Sequence, residues 1–116
     1  MAGSLAERIL SIDPRVRSVL ITDRAGRFLE FKTRSPRTRV LMSDGDIRAL
    51  GGVSSALLTD AAELLAKYFG PASCVTTRME KADVHTIKLG ESIAVVTTRP
   101  NDLPADVAQK IKALKP

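Results

Sequence analysis

The side chains with the greatest chemical reach are one cysteine, Cys74, and one histidine, His85. Their strongest joint chemistry would be a thiolate–imidazole couple, a nucleophile activated by an adjacent base. That needs both on one face within hydrogen-bond reach, and a third group to orient the ring. The strand register argued below sets Cys74 opposite Gly90, away from His85, with no Asn or Asp placed behind the imidazole. Cys74 therefore reads as a structural thiol near a sheet edge. His85 reads as a strand-end residue half covered by Met79 and Thr97, without a ligand-spaced companion for a metal. One cysteine can form neither an intramolecular disulfide nor a cysteine metal cluster. Two carboxylate pairs remain. Asp44 and Asp46 suit the start of a helix, and Glu80 and Asp83 a hairpin loop. Neither pair has the apolar setting that acid–base catalysis requires. Gly51-Gly52 follows no strand and lacks the Gly-Lys-Ser/Thr ending of a phosphate loop. Inside a helix these glycines cost roughly 1 kcal/mol each against alanine, which suits either close helix approach, as at a dimer crossing, or a tolerated solvent-side position. No catalytic residue, metal site or cofactor is expected, and the chain reads as a non-enzyme.

The other chemical signal is charge. The chain carries a net +5. Arg15, Arg17, Arg24, Arg27, Lys32, Arg34, Arg37 and Arg39 cluster in one stretch against only Asp23 and Glu30. Arg34, Arg37 and Arg39, on the Lys32–Arg39 connector, are the candidate surface for an anion or an acidic partner, including the phosphates of a nucleic acid. Aromatics make up only 3% of residues. That scarcity opposes single-strand stacking platforms, and no groove-reading element is present.

Positioning these groups falls to an ordinary folded chain. At 116 residues with 44% hydrophobic and 27% charged content, it reads as a single domain over 1–116, not as a disordered segment. The first residues lack the pattern of a signal peptide, and no run approaches the roughly 18 apolar residues of a membrane span. A cytoplasmic location follows as the expectation, and the lone cysteine agrees with it.

Ser4-Leu5-Ala6-Glu7 is a capping box for a helix over 5–11, ended by Asp13-Pro14. Val16 to Thr22 is a strand apolar on both faces, Val16 with Leu20 and Val19 with Ile21, so it lies inside a covered sheet. The turn Asp23-Arg24-Ala25-Gly26 returns the chain as Arg27 to Thr33. Thr22 opposite Arg27 would set Ile21 against Phe28, Leu20 against Leu29 and Ser18 against Phe31. Ser43 caps a helix over 44–68, stopped by Gly70-Pro71. Its apolar residues cover about half the circumference, wider than one sheet contact requires. Strands are expected over 73–79, 84–89 and 92–98. Pairing Glu80 with Val84 and Leu89 with Ile93 gathers Val75, Ile87, Leu89, Ile93 and Val95 on one face. The first of the three is a plain edge and the last is central. Pro100 to Pro104, with Asp102 as cap, leads into a final helix striped by Leu103, Val107, Ile111 and Leu114.

The order α-β-β-α-β-β-β-α, with the residues that fill it, resembles the roadblock superfamily (dynein light chain roadblock and its small bacterial and archaeal relatives). The resemblance is carried by Ile9 to Gly26 (a short helix, a valine-led apolar run, an Asp-x-x-Gly turn), by the long helix after Ser43, and by Ile93-Ala94-Val95-Val96-Thr97-Thr98. It spans about 5–114 and is nearest to roadblock-like proteins of archaea. The basic Lys32–Arg39 stretch departs from it. The resemblance implies an α/β (α+β) three-layer sandwich of roadblock/profilin type. Its five-stranded, mostly antiparallel sheet would carry the long helix on one face and the two short helices on the other. It also implies a non-catalytic homodimer acting as scaffold or regulator, linked to a small Ras-like GTPase or a larger complex. Two central helices would pack together, and the edge strands would pair across a two-fold axis. Val53, Leu57, Leu64, Tyr68, Val75 and Thr77 are then the candidate dimer interface. A basic nucleic-acid- or anion-binding domain and a small-ligand sensor are the alternative readings.

Overall fold

The computed structural model describes residues 3–35 and 42–114, with the side chains of 60–62 excepted. The Ser4 hydroxyl accepts from the Glu7 N–H at 3.2 Å and opens α1, Leu5–Leu10. Ser43 Oγ accepts from the Asp46 N–H at 3.1 Å and opens α2, Asp44–Ala56. In both, a short polar side chain satisfies a donor that the helix leaves orphaned. The expected single long helix is a rod in three pieces: α2, a π-helical turn at Leu57–Ala61, and α3, Ala62–Phe69. Gly70, with φ of 84°, ends it. The last helix, α4, Ala105–Lys112, has Pro104 at its N-cap with no side-chain cap bond, so Asp102 does not cap it.

Five strands, β1 (Ser18–Asp23), β2 (Phe28–Thr33), β3 (Cys74–Arg78), β4 (Asp83–Leu89) and β5 (Ser92–Thr98), form one sheet in the order β2-β1-β5-β4-β3. All neighbouring pairs are antiparallel. The three-layer sandwich expected from the sequence is the fold. One core joins α1 and α4 to Val19, Ile21, Ile87, Leu89, Ala94 and Val96. The other joins the rod, through Ile47, to Leu20, Ile93 and Val95. β1 and β5 are central and buried on both faces, and β3 is an edge.

The registers differ from those expected, and turn chemistry explains each shift. The Asp23 N–H donates to the Arg27 carbonyl at 3.1 Å, while its Oδ1 accepts from the Ala25 and Arg27 N–H groups at 2.9 Å. Gly26, at φ 86°, completes this tighter loop. Thr22 thus pairs with Phe28, and the ladder then slips at a bulge, setting Ile21 against Glu30 and Leu20 against Phe31. The slip turns Phe28 and Phe31 both toward the rod, leaves Leu29 exposed, and points Glu30 at α1, where it accepts from the Ala6 N–H at 2.8 Å. Val16, expected to share a face with Leu20, precedes the strand and packs with Val19 and Ile21.

Between β4 and β5 the turn is two residues, Gly90-Glu91, with φ of 59° at Gly90. Leu89 therefore pairs with Ser92 instead of Ile93, and that one-residue change reverses every side. Ile87 and Leu89 face α1 and α4, whereas Ile93 and Val95 face the rod. The block of five apolar residues expected on one face is divided between two. β3 pairs with β4 as Cys74–Ile87, Thr76–His85 and Arg78–Asp83.

The rod Asp44–Phe69 is long and apolar enough to cross a membrane by length and composition alone. The expectation of no span-length segment rested on unbroken apolar runs, and polar residues interrupt this one. The rod's first half is committed to the sheet, burying Ile47, Gly51, Ser54 and Ser55.

Candidate functional site

The corrected register brings together the side chains that the sequence kept apart. Cys74, Thr76 and Arg78 on β3 alternate onto the same face as Asp83, His85 and Ile87 on β4. Cys74, Thr76, Arg78, Asp83 and His85, with Asn101, Leu103 and Ala108, line a cleft of about 370 Å³ beside α4. His85 is 5% exposed. Its Nδ1 lies 3.0 Å from Thr76 Oγ1 and its Nε2 3.1 Å from Thr98 Oγ1. The Thr98 hydroxyl donates its single proton to the Arg99 carbonyl at 2.9 Å, so it must accept from the ring. That fixes Nε2 as protonated and leaves Nδ1 to accept from Thr76. Burial lowers the His85 pKa and the nearby Arg78 charge adds to this, while Asp83 opposes them. The ring is neutral near pH 7.

Asp83, expected in a hairpin loop with Glu80, opens β4 and is 1% exposed. Its Oδ2 accepts from Arg78 Nη2 at 3.0 Å and from the Asn101 N–H at 3.0 Å. The Arg78 bond lowers its pKa against the effect of burial, with the Asn101 N–H helping. Both ring nitrogens and the carboxylate are thus spent on threonines, an arginine and backbone. The geometry is that of a lock between β3, β4 and the β5–α4 connection, with no ring nitrogen directed at Cys74. Among the described residues no group of three or more His, Cys, Asp or Glu could hold a metal ion.

The glycine pair divides in two. Gly51 sits on the β1–β2 turn of its own chain, and a Cβ there would lie 2.4 Å from the Gly26 carbonyl oxygen. Gly52 has nothing within 4 Å of such a Cβ. Close approach therefore happens inside the chain at Gly51. Ser55 Oγ donates to the Arg24 carbonyl at 2.6 Å and fastens the same contact.

Leu58 still packs on the sheet core, and beyond the π turn the rod is largely exposed. Of the candidate interface residues, Val53 is exposed, Leu64 is 65% exposed and Tyr68 75%. Leu57 and Val75 are half-buried, and Thr77 is exposed on β3. Leu65 and Phe69, the latter 82% exposed, extend the face and were not singled out from the sequence. The signal was available, because Leu64, Leu65, Tyr68 and Phe69 fall at the i, i+1, i+4, i+5 spacing of one helix side. A cleft of about 480 Å³ opens below, lined by Arg24, Leu58, Glu63, Ala66, Lys88 and Ile93 among others. It is the nearest counterpart to a sensor site.

Of the basic candidates, Arg37 and Arg39 lie outside the described residues. Arg34 is described and is fastened to backbone. Its Nε donates to the Val16 carbonyl at 2.8 Å, and its Nη2 to the carbonyls of Leu10 and, at 3.0 Å, Asp13.

This arrangement is the fold of roadblock/LC7-domain proteins: a five-stranded antiparallel sheet, a long helix on one face and short terminal helices on the other. No family model matches the sequence, and no curated protein matches it. Solved structures do match. The gliding protein MglB from Thermus thermophilus is 16% identical, with a TM-score of 0.68 over 97% of this chain and 89% of that one. Myxococcus xanthus MglB is 15% identical, with a TM-score of 0.66 over 92% and 81%. A roadblock/LC7 domain from Streptomyces avermitilis is 11% identical, with a TM-score of 0.67 over 92% and 85%. Another structure, described as MglB with a tetrameric arrangement, is 16% identical with a TM-score of 0.65. These likenesses concern the fold. The organisms named are bacteria, and the expected nearness to archaeal proteins finds no support in them.

Proposed function

We propose that this chain is a non-enzymatic, homodimeric scaffold or regulatory module of roadblock type, working in the cytoplasm through protein surfaces. The observation that carries the reading is the row of large apolar side chains on α3, with Leu64, Tyr68 and Phe69 each about two-thirds or more exposed. A row of this kind beside an unpaired strand edge, β3, is a surface that water disfavours and a second copy covers. Helix against helix, with β3 joined to its two-fold mate, would bury both. The tetrameric arrangement described for one MglB structure supports self-association as a property compatible with the fold. The regulatory partner we assign is a small Ras-like GTPase, the class implied by the family resemblance.

Sedimentation equilibrium of the wild type and of Leu64→Asp tests the dimer. Leu64 is exposed, so the charge leaves the protomer folded and disrupts only the contact. The wild type is expected to be dimeric at micromolar concentration and Leu64→Asp monomeric with an unchanged circular dichroism spectrum. A wild type that stays monomeric at high micromolar concentration refutes the proposal. Titration with a purified small GTPase in its GDP and GTP forms tests the partner class.

A further inference from the structure

The described basic residues assemble at a place that no stretch of sequence reveals. Arg17 immediately precedes β1, Arg34 immediately follows β2 and Arg99 immediately follows β5. Because the sheet runs β2-β1-β5, these are the ends of three adjacent strands at one end of the sheet, with neighbouring backbones about 4.8 Å apart. The ladder continues through them, as the Arg17 N–H donates to the Thr97 carbonyl at 2.9 Å and the Arg34 N–H to the Arg17 carbonyl at 2.8 Å. With Arg15, Pro14, Ser35 and Asp102 they line a cleft of about 390 Å³, a volume within the range of small-molecule sites.

Charge in this cleft is unevenly compensated. Arg15 is taken by Asp13, Nε to Oδ1 at 2.9 Å and Nη2 to Oδ2 at 3.1 Å. Among the described residues Arg17, Arg34 and Arg99 make no ion pair. Arg34 is held in place by carbonyl oxygens alone, so its guanidinium is oriented without being neutralised. An oriented cation loses little freedom on binding, which favours affinity.

We propose that Arg17, Arg34 and Arg99 bind the phosphate group of a small phosphorylated ligand, with Asp102 accepting a hydrogen bond from a hydroxyl or amino group of that ligand. A planar carboxylate is satisfied by one guanidinium, as Asp13 is by Arg15. Three arginines that follow or precede separate strands and line one cleft suit a tetrahedral dianion with several acceptor oxygens. The Asp102 carboxylate in the lining opposes a continuous polyphosphate track and so disfavours nucleic acid. A free phosphate ester and a phospholipid headgroup present the same dianion. The cleft shares no lining residue with the apolar face of α3, so this proposal stands or falls independently of the dimer.

The test is calorimetric titration of the full chain with pyrophosphate and with inorganic phosphate, in chloride buffer. Submillimolar binding of pyrophosphate is expected, weakened roughly tenfold for each guanidinium lost in Arg17→Gln and Arg99→Gln. Neither side chain packs in the core, so both variants keep the wild-type melting temperature. The control pair Arg24→Gln/Lys88→Gln removes two positive charges from the separate cleft beside α3, as many as Arg17→Gln and Arg99→Gln together, and is expected to bind as wild type does. Flotation with phosphatidylcholine vesicles, with and without phosphatidylinositol phosphate, assigns the source. Retention dependent on the phosphoinositide marks a headgroup, and binding in solution alone marks a free ester. No pyrophosphate binding at millimolar concentration overturns the proposal. So does equal weakening in the control pair, which would mark a diffuse basic surface of the kind that holds nucleic acid.

Discussion

Replacing Gly51 with alanine adds one methyl group where α2 crosses the Asp23–Gly26 turn. That methyl would lie 2.4 Å from the Gly26 carbonyl oxygen and 3.0 Å from Thr22 Cγ2. The oxygen belongs to backbone pinned by the Asp23 carboxylate and by a φ of 86° at Gly26, so it cannot swing aside as a long side chain would. Alanine gains roughly 1 kcal/mol of helix propensity over glycine. Forcing a methyl into a closed contact costs typically 1–3 kcal/mol, occasionally more, and with backbone on both sides the upper end applies. The expected net loss for Gly51→Ala is therefore about 2 kcal/mol. At Gly52, with nothing within 4 Å, only the propensity operates, and Gly52→Ala is expected to gain about 0.5–1 kcal/mol. Two adjacent, identical substitutions should then differ by roughly 3 kcal/mol, or about 10 °C in melting temperature for a domain of this size. Urea and thermal unfolding followed by circular dichroism, at one fixed protein concentration because self-association shifts the midpoint, measure the difference. Gly51→Ala melting at or above wild type would refute the packing argument. Gly52→Ala losing both stability and self-association would instead move the helix crossing of the dimer to that residue.

Two further perturbations probe the fold. Arg34→Met removes three charge-assisted bonds to the carbonyls of Val16, Leu10 and Asp13; allowing for solvent exposure, it should cost about 2 kcal/mol. Arg34→Lys should restore less than half, since an ammonium cannot span the same fork, and full recovery by lysine in urea unfolding would contradict this geometry. Acidification acts through His85 and Asp83. Because burial lowers the His85 pKa below its ordinary 6.5, the unfolded chain takes up this proton first. Its contribution is complete above pH 6.5 and is lost as pH falls below that value, with a slope of at most about 1.4 kcal/mol per pH unit for one proton. Asp83, lowered below 3.8 by Arg78, contributes above that value and its share is lost as pH falls through the lowered folded value. The urea midpoint should therefore drop between about pH 7 and pH 5 in the wild type and change less in His85→Gln. An identical pH response in the two proteins counts against the buried neutral ring.

Period and capping were legible in the amino-acid order. Ser4 and Ser43 mark helix starts by chemistry that acts over three residues, and the doubly apolar β1 and β5 announce a covered sheet. Register was not legible, because it depends on the number of residues in a turn, and a change of one reverses which side chains face which layer. Gly90-Glu91 closes as a pair, and Leu29 bulges to bring Phe28 and Phe31 together. Neither event has a local signature stronger than its alternatives. The cluster around His85 followed the register and was missed with it. The three arginines at the strand ends were individually visible, but only the order β2-β1-β5 makes them neighbours. The outward face of α3 was visible as surplus apolar residues, and its direction depended on the π turn.

The placement of β1 also has a consequence in time. Its partner β2 follows at once, and α1 is bound to that hairpin by Glu30, which accepts from the Ala6 N–H, and by Arg34, which donates to the Leu10 carbonyl, so this part can assemble by short loops alone. The opposite edge of β1 belongs to β5, a pairing that joins Ser18 to Thr97. During synthesis, Val19 and Ile21 must wait with an unpaired edge until β5 has emerged. Closing that long loop should set the folding rate.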